Sequence, residues 1–487
     1  MSLIKNKTAG RIIMVVLLSL PLQGCRKKQD EVKIPWKTEQ LAEQIDQTRK
    51  TEAYKLPAMP KEKSSLQKYW KALDYALENQ HASSPSRTLT KEEAREDTTA
   101  LFAMLKELYG CYAYFNQSDA FAQAEEAILQ DIERIRELDY TAYRSCIRTH
   151  LRFLEDQHFL IDQTPLKRPM VTFTMQDTFE KRKDGFYFKD KRVTAIDEET
   201  KLETVLKEDA LHAGRYVYYQ KTNEQKTEVT LHFAKETAQR QKVLPLTAHP
   251  SDKAILEKEI QGVPYVHTAR MFYAKREQEK ADAFLKTAEK FKDSKAAILD
   301  LRGNSGGDLL VAESWYRSFS GTAKGGHMQT LLKLPLENPL LEEKFHAEDF
   351  AQSLSDLRKK ETWKQLDELH AVVERRSEKQ IKNDTLLFVL QDDQTASAAE
   401  HLIDRLHSLD HVVFIGTPTA GMLRGSSFLT VYLKHSSLEV SFGNMLTQFS
   451  DSYAKEYLCK RILRYRAGYL DKRCLRPCRA AADTIGL

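Results

Sequence analysis

Long apolar runs are almost absent from this chain. The one stretch of note, Ile12 to Leu20, is nine residues long. That is too short to cross a bilayer comfortably as a mature anchor, so a multi-span membrane protein is excluded. Charge of one sign is lacking as well: 75 Lys and Arg stand against 70 Asp and Glu, a formal net charge of +5 over 487 residues. No sustained basic stripe interleaved with aromatics occurs, which argues against nucleic acid as a partner. Cysteine is scarce at six residues. Three of them, Cys459, Cys474 and Cys478, crowd the last thirty positions with no His at zinc-finger spacing, so they mark no metal site. What is present is 41% hydrophobic and 30% charged residues, a balance that packs a core and excludes disorder. The length points to two or three domains.

The first residues read as a targeting segment. Lys5, Lys7 and Arg11 precede the apolar stretch, which ends in Leu22-Gln-Gly-Cys25. A basic start, an apolar middle and a Gly-Cys end resemble a bacterial lipobox, in which the Cys thiol is diacylated before cleavage. Residues 1–24 are then a signal peptide, Cys25 the lipidated first mature residue, and 25–35 a tether. The expected location is the bacterial cell envelope, lipid-anchored and facing the periplasm or cell surface.

Three kinds of pattern follow. Residues 36–160 are expected to be helical. Leu101, Met104, Leu105 and Leu108 fall on one face, and similar stripes run from Ala120 to Leu138 and from Tyr140 to Leu154. Cys111 and Cys146 lie here, either paired in an oxidising compartment or as buried free thiols. Residues 166–245 carry alternating strand-like runs at 171–174, 185–188, 192–196, 215–219 and 228–233, with a short helix expected over 202–210. From 255 to 456 strands and helices alternate, which predicts an α/β domain with a mainly parallel sheet. A charged helical insertion is expected over 340–382. Residues 457–487 form a basic, Cys-containing tail.

Three segments of the α/β region could carry chemistry. Ile298-Leu-Asp-Leu-Arg-Gly-Asn-Ser-Gly-Gly-Asp308 places glycines after a buried strand, where backbone N–H groups can converge on an anion. Thr395-Ala-Ser-Ala-Ala-Glu400 puts Ser397 at a strand-to-helix turn. Such a serine is either an exposed nucleophile or an ordinary helix N-cap. Gly416-Thr-Pro-Thr-Ala-Gly421 follows the next strand.

In this order and spacing the three segments resemble the serine peptidase family of C-terminal processing peptidases, with its tricorn-like and interphotoreceptor retinoid-binding-like branches. The resemblance covers about residues 93 to 456. It implies a ClpP/crotonase-like catalytic domain, a protein or peptide substrate and no cofactor. Ser397 becomes the nucleophile, with the amides of Ala398 and Gly306 as oxyanion donors and Gly307 as the adjacent alternative. The Lys general base typical of the bacterial branch is missing from Thr419-Ala-Gly-Met-Leu-Arg-Gly425, and Arg424 stays protonated and cannot replace it. The Lys-less branch takes its base from a DGH-like segment in the helical region. Here Glu155-Asp-Gln-His158 matches it, with Gln157 in place of Gly, so His158 is the expected base. Glu456, roughly sixty residues after Ser397, has the spacing of the third group, though the sequence beyond it departs from the family. The module at 166–245 sits where relatives carry a PDZ-like domain; a structural spacer is the alternative. The implied function is a membrane-anchored serine endopeptidase or tail-specific protease acting on exported proteins. The alternative is an inactive binding or scaffold lipoprotein on the same fold.

Overall fold

The computed structural model describes residues 88–166, 171–208, 214–245, 253–260, 262–333, 364–365, 370–375 and 380–449. Cys25, Glu456, the three tail cysteines and most of 340–382 lie outside them. Among the described residues there are seven α-helices: α1 Lys91–Leu108, α2 Tyr112–Phe115, α3 Ala120–Arg134, α4 Tyr140–His150, α5 Ala274–Lys292, α6 Leu309–Ser320 and α7 Ala398–Leu406.

Local signals account for the helix starts. Thr90 opens α1 with a capping box: its hydroxyl accepts from Glu93 N while Glu93 accepts from Thr90 N. Asp139 and Asp308 cap α4 and α6 by accepting from Ala142 N and Leu310 N. These contacts satisfy amides that have no partner inside the helix. Gly321 closes α6 in the left-handed region at φ +70°, where a side chain would be strained.

The described strands form three sheets. Strands Val263–Thr268, Ala296–Asp300, Leu386–Gln391 and Val412–Gly416 run parallel, with Ile255–Ile260 antiparallel at one edge. The last three parallel strands are buried at every residue, as continuous apolar runs of a doubly covered sheet should be. α5, α6 and α7 cover one face through Phe284, Trp315 and Leu402. The α/β expectation therefore holds, but parallel pairing is confined to this sheet.

The second sheet is antiparallel, built on Glu439–Gln448 and its neighbours Gln329–Lys333, Gly425–Tyr432 and Leu160–Ile161. The helices α1, α3 and α4 share one core with it: Leu101, Leu105 and Leu108 join Val440, Phe442 and Leu446. The apolar stripes of the helical region thus find their cover on the α/β region's second sheet. One departure lies in the expected helical insertion, where His370–Arg375 is a strand paired with Gln329–Lys333. Its Ala-Val-Val centre is β-prone, but charged flanks masked the signal.

The third sheet is an eight-stranded antiparallel module with its own core of Phe173, Phe179, Phe188 and Leu231. The expected strands are all present. In place of a helix over 202–210 stand a 3-10 turn, Leu202–Thr204, and a strand, Leu206–Glu208. Among the described residues from 171 to 245 there is no α-helix. Cys111 and Cys146 are buried free thiols.

Candidate active site

Parallel pairing brings the first two motifs together. Asp300 stands in register with Leu390, so the turns that leave these two strands start side by side. Four bonds then stitch them: Leu301 N to Leu390 O (2.8 Å), Ala396 N to Asn304 O (2.9 Å), Gly303 N to Asp392 Oδ1 (2.9 Å) and Thr395 Oγ1 to Leu301 O (2.8 Å). Asn304 is fully buried. Its amide donates to Thr268 O and its Oδ1 accepts from Gly306 N at 2.9 Å. At the root of the glycine turn Arg302 binds the fully buried Asp300 through both carboxylate oxygens, and Tyr265 OH adds a third bond. Burial alone would raise the Asp300 carboxyl; the Arg302 charge and these bonds overcome it and hold it below its ordinary value.

Ser397 is the N-cap of α7 and adopts φ 54°, ψ −119°. This is a costly conformation for a residue with a side chain, about 1–3 kcal/mol, of the kind that persists where the surroundings enforce it. The enforcing neighbour is Gly306. A Cβ placed there would lie 2.7 Å from Ser397 Cβ, 2.7 Å from Ala396 O and 3.0 Å from Ala398 N. Gly306 (φ +89°) is therefore glycine for two reasons, backbone conformation and contact with the serine elbow. Gly307 (φ +131°) is pressed as closely on Met271, whose carbonyl oxygen would be 2.0 Å from an added Cβ.

Ser397, Ala398 and Gly306 are thus packed together, with Gly307 next along the turn against Met271. Their amides are not equivalent. Gly306 N–H is committed to Asn304 Oδ1, which removes it as an oxyanion donor in this conformation. Ala398 N is at the first position of α7, where no intrahelical acceptor exists.

Behind Ser397 stands Glu400, fully buried. Its Oε2 accepts from Ser397 N (2.8 Å) and Met422 N (2.9 Å); its Oε1 accepts from Thr419 Oγ1 (2.6 Å) and Gly421 N (2.8 Å). Burial raises its carboxyl, and the four donors oppose that rise. One carboxylate so fixes both the elbow and the loop after strand Val412–Gly416. Sequence reasoning passed over Glu400, although Ser-x-x-Glu is the capping-box spacing that could have found it. Asp392 was also passed over. It is buried with Oδ2 lacking a hydrogen-bond partner, and burial foremost, with Asp393 nearby, pushes its carboxyl up to about 6.

His158 is buried at the turn after α4, 4% exposed. Its backbone N–H donates to Asp156 Oδ1 at 2.9 Å, and its Nδ1 stands 3.6 Å from the same oxygen. That is ion-pair range and longer than a hydrogen bond. Asp156 Oδ2 accepts from Tyr109 OH at 2.8 Å. The same oxygen lies 2.8 Å from where a Gly425 Cβ would be. The loop between the two strands is therefore held by Glu400 at Gly421 and Met422 and meets the His158 turn at Gly425. Gly425 is three chain steps beyond Met422, a reach of at most roughly 11 Å. Arg424 is engaged elsewhere. Its guanidinium is sandwiched between Tyr114 (3.9 Å) and Phe449 (4.2 Å), a cation–π staple.

The eight-stranded module also touches this region. Thr172 and Lys221 are directly paired across neighbouring strands. Thr172 N donates to Asp393 Oδ2 (2.5 Å), and Lys221 Nζ donates to Thr419 O (3.0 Å). One rung of the module so grips both loops that flank Ser397, a link between distant positions that sequence patterns do not reveal.

Residues 262–456 match peptidase family S41. No curated protein matches the chain. Among solved structures, mature CPAF complexed with lactacystin is 14% identical with a TM-score of 0.43, covering 81% of this chain and 99% of that one. The photosystem II D1 C-terminal processing protease is 13% identical with a TM-score of 0.33 over 74% and 89%. A lipoprotein from Streptococcus agalactiae is 9% identical with a TM-score of 0.37 over 83% and 99%. The matched segment contains the glycine turn, the serine elbow and the loop bound to Glu400, and this part of the chain is a serine-type peptidase domain of family S41.

Proposed function

We propose that this peptidase cleaves peptide bonds of exported proteins through an acyl-enzyme on Ser397, with His158 as base. The observation that carries the reading is the strained Ser397 elbow with Gly306 packed on its Cβ. His158 takes the Ser397 hydroxyl proton as Oγ bonds to the substrate carbonyl carbon. The amides of Gly307 and Ala398 receive the oxyanion. Collapse breaks the C–N bond, and His158 returns its proton to the departing amine. Water, deprotonated by His158, then attacks the acyl ester and frees Ser397. Asp156 is the described carboxylate beside His158. Glu456 is proposed on sequence spacing alone. Diacylation at Cys25 would hold the enzyme on a membrane facing the periplasm or cell surface.

Labelling with a serine-directed fluorophosphonate tests the nucleophile. The wild type should label and Ser397→Ala should not. Equal labelling of both refutes the assignment and leaves a binding protein on this fold as the surviving reading. Incorporation of a fatty-acid analogue into wild type but not Cys25→Ser tests the anchor.

A further inference from the structure

Far from the serine elbow, α3 and α4 bring together Asp131, Cys146 and His150. Cys146 and His150 are one turn apart on α4 and so project from the same face. A pair of ligands at this i, i+4 spacing is a common way for one helix to hold a cation. Asp131 comes from the last turn of α3. Donor atoms of the three residues all lie within 4.8 Å of one another, and His150 Nε2 is 2.7 Å from Asp131 Oδ2.

We propose that Asp131, Cys146 and His150 form a binding site for a thiophilic divalent cation, Zn²⁺ by the chemistry of the set. A thiolate, an imidazole and a carboxylate suit zinc and disfavour the hard cations Mg²⁺ and Ca²⁺. Zinc bonds of about 2.0–2.3 Å in a tetrahedron put ligand atoms roughly 3.3–3.8 Å apart. The triad would reach that spacing by opening the 2.7 Å His150–Asp131 contact and closing its widest separation, at most 4.8 Å, each by about 1 Å or less. Burial grades across the site: Cys146 is 8% exposed, whereas the His150 and Asp131 side chains are 24% and 38% exposed. Sulfur thus lies on the core side, and the fourth position faces water. Arg134 competes only weakly. It is an exposed i, i+3 partner 3.5 Å from the other carboxylate oxygen, Oδ1, and leaves Oδ2 for the ion. On binding, the Cys146 thiol loses its proton to solvent. The thiolate and the Asp131 carboxylate then balance the two charges of the cation. A His–Asp ion pair at the end of α4 is the rival explanation, and it gives Cys146 no part.

The test uses the full chain with Cys459, Cys474 and Cys478 changed to Ser, so that the tail cannot supply ligands. After chelation, Co²⁺ is added as a spectroscopic probe. One equivalent should produce a thiolate-to-cobalt charge-transfer band, and Zn²⁺ should abolish it. Cys146→Ser should lose the band, and His150→Ala should weaken binding. Zn²⁺ should raise Tm in the parent chain and leave Cys146→Ser unmoved. Should either variant fail to fold, alkylation of Cys146 in the parent chain decides the matter: Zn²⁺ must slow it. No charge-transfer band at saturating Co²⁺, or alkylation indifferent to Zn²⁺, would overturn the proposal.

Discussion

Replacing Glu400 by Gln isolates what its charge does. The side chain is fully buried and accepts four hydrogen bonds, two on each oxygen. Gln has the same shape but only one accepting oxygen. Its best orientation keeps the oxygen on Ser397 N and Met422 N and turns the NH2 toward Thr419 and Gly421. The Thr419 hydroxyl can rotate to accept, whereas Gly421 N–H then faces another donor. That leaves one unsatisfied buried amide, costing about 1–3 kcal/mol, and the bonds that remain lose charge assistance worth about 1 kcal/mol each. Relief of the carboxylate's desolvation, the main cause of its raised pKa, offsets part of this. The expected net loss is about 2–4 kcal/mol, read as a lower urea midpoint at pH 7. The Ser397 amide and the Gly421–Met422 loop would relax together, so fluorophosphonate labelling should slow on the same protein. A Gln variant with both midpoint and labelling rate unchanged would refute the idea that this carboxylate fixes the elbow.

Gly306→Ala should abolish labelling and lower stability, because the new Cβ meets Ser397 Cβ and Ala396 O at 2.7 Å while φ is +89°. Strain and overpacking together cost at least about 2 kcal/mol. Asp392→Asn should change the pH dependence of stability. The folded chain holds this proton up to about pH 6 against an ordinary 3.8, so the unfolded chain releases it first as pH rises. Wild type therefore loses stability from about pH 4 to 6, by up to about 3 kcal/mol, and levels off above. The Asn variant should lack that slope in urea midpoints taken across the window. Lys221→Met removes the bond from the eight-stranded module to Thr419 O. Labelling at Ser397 should slow while the unfolding free energy measured in urea changes by no more than about 1 kcal/mol.

How far each part could be read from sequence follows from the range of the interactions that hold it. The buried parallel strands and the serine elbow are encoded within a dozen residues, through apolar runs, Gly-Gly and Thr-Ala-Ser, and were legible. Glu400 is equally local, three residues from Ser397, and was missed because the segment was read for its serine alone. The strand His370–Arg375 was hidden for the opposite reason: its flanks are charged and helix-like, and only pairing with Gln329–Lys333 selects the extended form.

The contacts that tie the site together have no local signal at all. Asp156 meets Gly425, Thr172 meets Asp393, and Lys221 meets Thr419. A glycine needed for φ > 0 can be guessed from a turn motif, but Gly425 has an ordinary backbone. Its lack of a side chain is explained by an aspartate 269 positions earlier, Asp156, whose Oδ2 fills the space a Cβ would take. The same holds for the proposed oxyanion donors. The glycine motif identifies Gly306 and Gly307 together, and the choice between them rests on Asn304. Its Nδ2 is anchored on Thr268 O, a residue of a different strand, and this turns its Oδ1 onto the Gly306 amide. The motif supplies the turn, and the neighbouring strand decides which of its amides Asn304 takes.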